Sequence, residues 1–139
     1  MKNINRFYEE KGSLKNRFVI HKHYAKNIHY DFRLEINSIL KSWAVPKQIT
    51  LKYGEKRLAV EVEDHPLSFL NFEGEIPEGE YGAGKIFIWD SGEYELIEKE
   101  ENKIVFELKG KKIKGKYCLI KFKKDKSDKN LWLLFKVKK

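Results

Sequence analysis

The chain contains only four histidines, His21, His23, His29 and His65, and the first three fall within nine residues. Asp31 and Arg33 follow His29 at steps of two. On an extended strand every second side chain points the same way. His29, Asp31, Arg33 and Glu35 therefore share one face, and Tyr30, Phe32, Leu34 and Ile36 share the other. A row of imidazole, carboxylate and guanidinium can hold a cation beside an anion. His29 and Asp31 suit one divalent ion, and His23, at the end of the preceding strand, can supply a third ligand. Mn²⁺, Fe²⁺ and Zn²⁺ all accept two imidazoles and a carboxylate. The same alternation also suits an ordinary strand with a solvated polar face, where a histidine needs no function. The arginines weigh against that. There are four, against 25 lysines, and Arg17 and Arg33 lie in the strands that carry these groups. A guanidinium offers phosphate a rigid fork of donors that an ammonium cannot reproduce.

The elements that must position these groups are short strands. Alternation of period two covers residues 29–36 and 57–63. Shorter candidates are 17–23, 40–45, 85–89, 94–98, 103–108, 115–122 and 131–137, most of them rich in β-branched and aromatic residues. Turns are expected at Asn37-Ser38, at Asp90-Ser91-Gly92-Glu93 and at Lys109-Gly110-Lys111. Pro46 ends a strand because it cannot donate to a ladder. Glycine-rich residues 78–85 are not a Walker A loop, since Ile86 follows Lys85, and no helix pattern follows to make a dinucleotide fingerprint. They read as a tight loop between strands. A short helix is expected only over residues 5–15. The class is all-β: a compact, closed or nearly closed barrel of about eight short strands, which hides its edges.

The 139 residues suit a single domain with its own core. Residues 1–16 form an N-terminal extension and 103–139 a set of lysine-rich strands. Cys118 is the sole cysteine, so an internal disulfide and a multi-thiolate zinc site are both excluded. In its Tyr-Cys-Leu-Ile setting it reads as a small core hydrophobe. No apolar run approaches a membrane span and no signal peptide is visible, so a cytoplasmic protein is expected. The net charge of +8 is uneven. Residues 103–139 carry fourteen lysines and three acids, whereas residues 1–102 carry a net −3. A basic end on a near-neutral body suits a polyanionic partner such as nucleic acid. Tyr117, Phe122, Trp132 and Phe135 interleave with those lysines, and alternation assigns most of these aromatics to the core.

The run His23-Tyr24-Ala25-Lys26-Asn27-Ile28-His29-Tyr30-Asp31-Phe32-Arg33-Leu34-Glu35 resembles the signature of the 3′-phosphoesterase domain of DNA ligase D and its stand-alone relatives. Leu40-Lys41-Ser42-Trp43-Ala44-Val45-Pro46-Lys47 resembles the next block, and residues 57–67 and 72–84 resemble two more, in order. The resemblance implies a β-barrel that heals DNA 3′ ends for non-homologous end joining. It implies a Mn²⁺-dependent enzyme that removes a 3′-terminal ribonucleoside, then the 3′-phosphate, and leaves a 3′-hydroxyl. Carried over by position, His23, His29 and Asp31 bind the metal, and Arg33 and His65 contact the scissile phosphate. Lys47 and Arg57 support the phosphomonoesterase step, and Glu63 matches a further functional position. The expected partners are DNA 3′ ends on a primer–template, with a separate ligase or polymerase to use the product.

Three departures bear on which step survives. His21 stands where the family has glutamine, and Phe69 where the ligase domains have tyrosine. Glu10-Lys11-Gly12-Ser13-Leu14 replaces a Lys-Arg-Asp-Phe stretch. Two other functions share these residues. An Fe(II)-dependent oxygenase would use His29, Asp31 and the distal His65 as a facial triad, with Arg33 on a co-substrate carboxylate. A non-catalytic barrel would bind nucleic acid through charge and stacking alone.

Overall fold

The computed structural model describes residues 16–138. The expected helix at 5–15 and the divergent Glu10–Leu14 stretch lie outside them. Nine strands follow one another: β1 (Asn16–Tyr24), β2 (Ile28–Ile36), β3 (Ile39–Val45), β4 (Arg57–His65), β5 (Gly74–Ile76), β6 (Gly84–Glu100), β7 (Lys103–Lys109), β8 (Lys114–Lys124) and β9 (Asn130–Lys136). The one helical element among the described residues is a 3-10 turn at Leu67–Asn71. All strand pairings are antiparallel, and the order β1-β2-β3-β4-β9-β8-β7-β6 closes through β1–β6. This is the expected all-β barrel, with eight strands in its wall. Short β5 pairs with the start of β6, opposite β1 and on the stretch of edge that β7 does not reach. Among the described residues no helix is long and apolar enough to cross a membrane.

Alternation explains the core. Phe18, Phe32, Leu34, Trp43, Phe106, Tyr117 and Leu134 fill the barrel interior with no exposed surface. Each contributes roughly 1.5–3 kcal/mol of burial. Tyr117 and Trp132 join this core, as alternation expects, but Phe122 stays 46% exposed. Cys118 is buried, and burial raises the pKa of its thiol. Asn37 and Ser38 join β2 to β3 with φ of 52° and 67°, a two-residue turn in which both centres are left-handed.

One expected turn is absent. Asp90-Ser91-Gly92-Glu93 does not reverse the chain; it runs straight through the 17-residue β6, which joins the two strands expected at 85–89 and 94–98. Asp90 faces inward and accepts the backbone N–H groups of Lys111, Lys112 and Ile113 at 3.1, 2.9 and 2.9 Å. Its carboxylate thus ties down the turn between β7 and β8. Gly92 lets that turn approach, since a Cβ there would stand 2.6 Å from the Lys109 carbonyl oxygen.

The registers set the site. Residues directly opposite in an antiparallel pair share a face. His21 faces Asp31, His23 faces His29, Arg33 faces Ser42 and Asp31 faces Ala44. These side chains therefore stand together on the outer surface of the barrel wall. Solvent does not reach most of them. The segment 66–83 folds across, and Leu67, Phe69 and Leu70 pack on Val19, Leu40 and Ile88. The polar face of β2 is a covered one, with Asp31 and Arg33 only 5% and 3% exposed.

Candidate active site

Asp31 is the hub. Its two carboxylate oxygens meet His23 Nδ1 at 3.2 Å and His29 Nε2 at 3.0 Å. The outward nitrogens of both rings meet backbone carbonyls: His23 Nε2 lies 3.0 Å from the Ala83 oxygen, and His29 Nδ1 lies 3.4 Å from that of Asn27. Without a metal the inward nitrogens donate to Asp31. A bound cation would take the place of those protons, with the outward nitrogens keeping theirs on the backbone carbonyls, which is how histidine ligands are usually oriented. One donor atom from each of His23, His29 and Asp31 lies within 4.8 Å of the other two. Burial favours the protonated Asp31, but hydrogen bonds from His23 and His29 and the Arg33 charge hold its carboxyl well below the usual range. The bond to Asp31 raises the pKa of His23. Two imidazoles and an ionised carboxylate fit a divalent transition metal.

Gly84 lets the covering segment come this close. Its φ is +120°, and a Cβ there would run into the Tyr24 carbonyl. Only glycine allows β6 to start against the end of β1, and so bring Ala83 onto His23.

Arg33 lies beside the triad and uses every nitrogen. Nη2 meets Asp31 at 3.3 Å, Nη1 donates to Ser42 Oγ at 2.9 Å, and Nε donates to His21 Nδ1 at 3.2 Å. His21 passes the contact on, donating from Nε2 to the Phe72 carbonyl at 3.0 Å. Burial and the Arg33 charge hold His21 neutral, with its pKa lowered to about 4. His65 Nδ1 lies 3.1 Å from Arg33 Nη1 and 3.0 Å from the Glu63 carbonyl oxygen. It can accept from the first or donate to the second, but not both at once. The Phe69 ring covers this end, 4.9 Å from the Arg33 guanidinium and 4.8 Å from the His65 ring, and stacks on Phe72 at 4.7 Å.

These groups open into one cavity of about 300 Å³, with Ala25, Ala44, Val62, Phe69, Ile76, Tyr81 and Ile86 as its less polar walls. The cavity gathers His23, His29, Asp31, Arg33 and His65. It does not include Lys47, Arg57 or Glu63. Lys47 is exposed just past β3, and Arg57 Nε donates to the neighbouring Gln48 carbonyl. Glu63 turns its backbone carbonyl to His65 and its side chain to an adjoining depression. Glu35 leaves the row on β2 and pairs with Arg17 at 2.7 Å. Sequence reasoning gave His21 no role, although its place two residues before His23 puts it on the same face. Ser42, Phe72 and Ala83 bring a hydroxyl and two carbonyls, and no residue pattern points to them.

A family model described as the DNA Ligase D 3′-phosphoesterase domain matches residues 21–121. The chain belongs to the DNA ligase D 3′-phosphoesterase domain family. It is 44% identical over 127 residues to the multifunctional non-homologous end joining DNA repair protein LigD of Mycobacterium tuberculosis H37Rv, across 88% of the chain and 16% of that protein. It is 44% identical to the multifunctional non-homologous end joining protein LigD of Pseudomonas aeruginosa, across 88% of the chain and 15% of that protein. The Mycolicibacterium smegmatis LigD is 46% identical over 119 residues, across 78% of the chain and 16% of that protein. The chain thus spans about one sixth of the length of these relatives. The 3′-phosphoesterase match includes all the cavity residues. It stops before β9, which closes the barrel by pairing with β4 and β8. The triad assembled in this 3′-phosphoesterase fold uses His23, while His65 stands on the far side of Arg33. That is not the His29–Asp31–His65 arrangement an oxygenase would need.

Proposed function

We propose that the chain hydrolyses phosphate esters at DNA 3′ ends, removing a 3′-phosphate and a 3′-terminal ribonucleoside, with a divalent metal such as Mn²⁺. The observation that carries this is the His23–His29–Asp31 cluster set directly against a buried arginine. The relatives' place in end joining supports DNA ends as the substrate. His23, His29 and Asp31 would hold the metal. When bound, such an ion supplies a Lewis acid for a phosphoryl oxygen and lowers the pKa of water.

The remaining chemistry belongs to the protein. Arg33 is fixed by Asp31, Ser42 and His21, so its charge is already aimed when phosphate arrives. His65 is neutral in the free chain, since burial and the Arg33 charge lower its pKa. A phosphate dianion beside it acts the other way, and favours the imidazolium that protonates the departing 3′-oxygen. Lys47, Arg57 and Glu63 act from outside the cavity, on the flanking nucleic acid or on the loop that holds Lys47. We take the displacement to be direct and in-line; retention of configuration at a chiral phosphorus would instead require a phospho-histidine at His65.

A labelled primer–template ending in a 3′-phosphate, and its twin ending in one ribonucleotide, test the assignment. Metal-dependent conversion to a 3′-hydroxyl is expected, with loss in His29→Ala. Conversion of the phosphate twin alone would limit the activity to the monoesterase step. No conversion of either, with any divalent metal, would overturn the phosphoesterase assignment.

A further inference from the structure

The cavity is larger and more apolar than a phosphate needs. Arg33 and His65 occupy one side, whereas Val62, Ile76 and Ile86 offer a phosphate nothing. Such walls suit the sugar and base attached to it, because ligand sites are mostly apolar with a few placed polar groups. Tyr81 stands on that lining and is 71% exposed. It also lines the adjoining depression with Glu61, Glu63, Lys129 and Asn130, so its ring divides the two hollows. Among the described residues its ring stacks on no other and its hydroxyl makes no hydrogen bond, while its phenol lies close enough to Arg33 to interact with that charge.

The backbone under Tyr81 is nonetheless held. Glu80 N–H donates to the Pro77 carbonyl at 3.2 Å, and Ala83 N–H donates to that of Glu80 at 3.1 Å. Gly79 and Gly82, at φ of +93° and +77°, give the two bends between them. The same short loop sends the Ala83 carbonyl to His23. Tyr81 is therefore a large, unstacked ring on a fixed base, near the Arg33 charge and tied by two residues of chain to the His23–His29–Asp31 cluster.

We propose that Tyr81 is the stacking platform for the base of the nucleotide that carries the scissile 3′-phosphate. The proposal rests on the function assigned above and adds the substrate's base to the groups it recognises. Stacking tolerates any base, because every base has a π face. The side chains that Tyr81 adjoins in the second hollow include Glu61, Glu63 and Asp128 against the one Lys129. Glu61 and Asp128 are paired with Lys41 and Lys124, which leaves Glu63 against Lys129. The hollow therefore has no excess positive charge to draw the next phosphodiester, and the base is the part of the nucleotide left to lie against the ring.

The test compares wild type with Tyr81→Ala and Tyr81→Phe in two arms. The first measures binding of a 3′-phosphorylated oligonucleotide with terminal 2-aminopurine, by fluorescence without metal, so no turnover is needed. Tyr81→Ala should weaken binding by roughly five- to a hundredfold, the equivalent of losing one stacked base. Tyr81→Phe should restore it, since the ring acts and not the hydroxyl. The second arm measures phosphate release, with Mn²⁺, from ends carrying a base and from abasic 3′-phosphate ends. The penalty of Tyr81→Ala should fall on KM and be at least about fivefold larger with the base present. Equal penalties on both ends, or Tyr81→Ala binding as tightly as wild type, would overturn the proposal. Loss of phosphate release from wild type, with the binding difference intact, would remove the assigned function and leave the stacking site standing.

Discussion

Arg33 makes polar contacts to four side chains, and together they use all three nitrogens of a planar fork. A lysine has one nitrogen and no fixed plane. Arg33→Lys should therefore keep the charge and lose turnover on 3′-phosphate ends by roughly a hundredfold or more. Measured kcat within tenfold of wild type would mean that charge alone matters there. His21 offers a test by pH. Its ordinary pKa of 6.5 falls to about 4 in the folded chain. Between those values the unfolded chain binds a proton that the folded chain refuses, so stability declines as pH falls through that window. The interval corresponds to about 3 kcal/mol. Glutamine also pairs one acceptor with donors. His21→Gln should keep the Arg33 contact and gain up to that amount relative to wild type between pH 7 and pH 4. Parallel urea midpoints for the two proteins across that range would contradict it. The sequence shows His23, His29, Asp31, Arg33 and His65 because histidine is scarce in this chain and the spacing on β2 is strict. Ser42 and the carbonyls of Phe72 and Ala83 stay hidden, because a hydroxyl on a strand and a backbone oxygen look alike wherever they occur.

Period-two alternation places most strands of the barrel within a residue or two, since each wall strand buries one face. It fails where a residue serves a distant element. Asp90, Ser91 and Gly92 have turn chemistry, but they spend it on the turn between β7 and β8, about twenty residues on. Asp90→Ala would leave the N–H groups of residues 111–113 without that acceptor. It should cost about 2–4 kcal/mol in denaturant unfolding. A loss under about 0.5 kcal/mol would mean that water or a neighbouring carbonyl replaces the carboxylate. Alternation also assigns the outer face of β2 to a shared side without saying what covers it. The cover, residues 66–83, has no period to read, being a 3-10 turn, a three-residue strand and a loop.

Closure removes the edges of the wall: β9 bridges β4 and β8, and no wall strand is left as an edge. The lysines of residues 103–138 lie on β7, β8, β9 and the segments that join them, and the chain's net charge of +8 suits the nucleic-acid substrate proposed above. Fluorescence anisotropy should show affinity for a primer–template falling at least roughly tenfold between about 50 and 200 mM salt. Salt-independent affinity would confine recognition to the cavity. The central claim is that His23, His29 and Asp31 form one divalent metal site beside Arg33. Titration of Mn²⁺ followed by electron paramagnetic resonance tests it most directly, with circular dichroism to verify that each variant keeps its fold. One tight ion per chain in wild type, lost in His29→Ala and retained in Tyr81→Phe, is the expected result. Equal Mn²⁺ binding by folded His29→Ala and wild type would contradict the site.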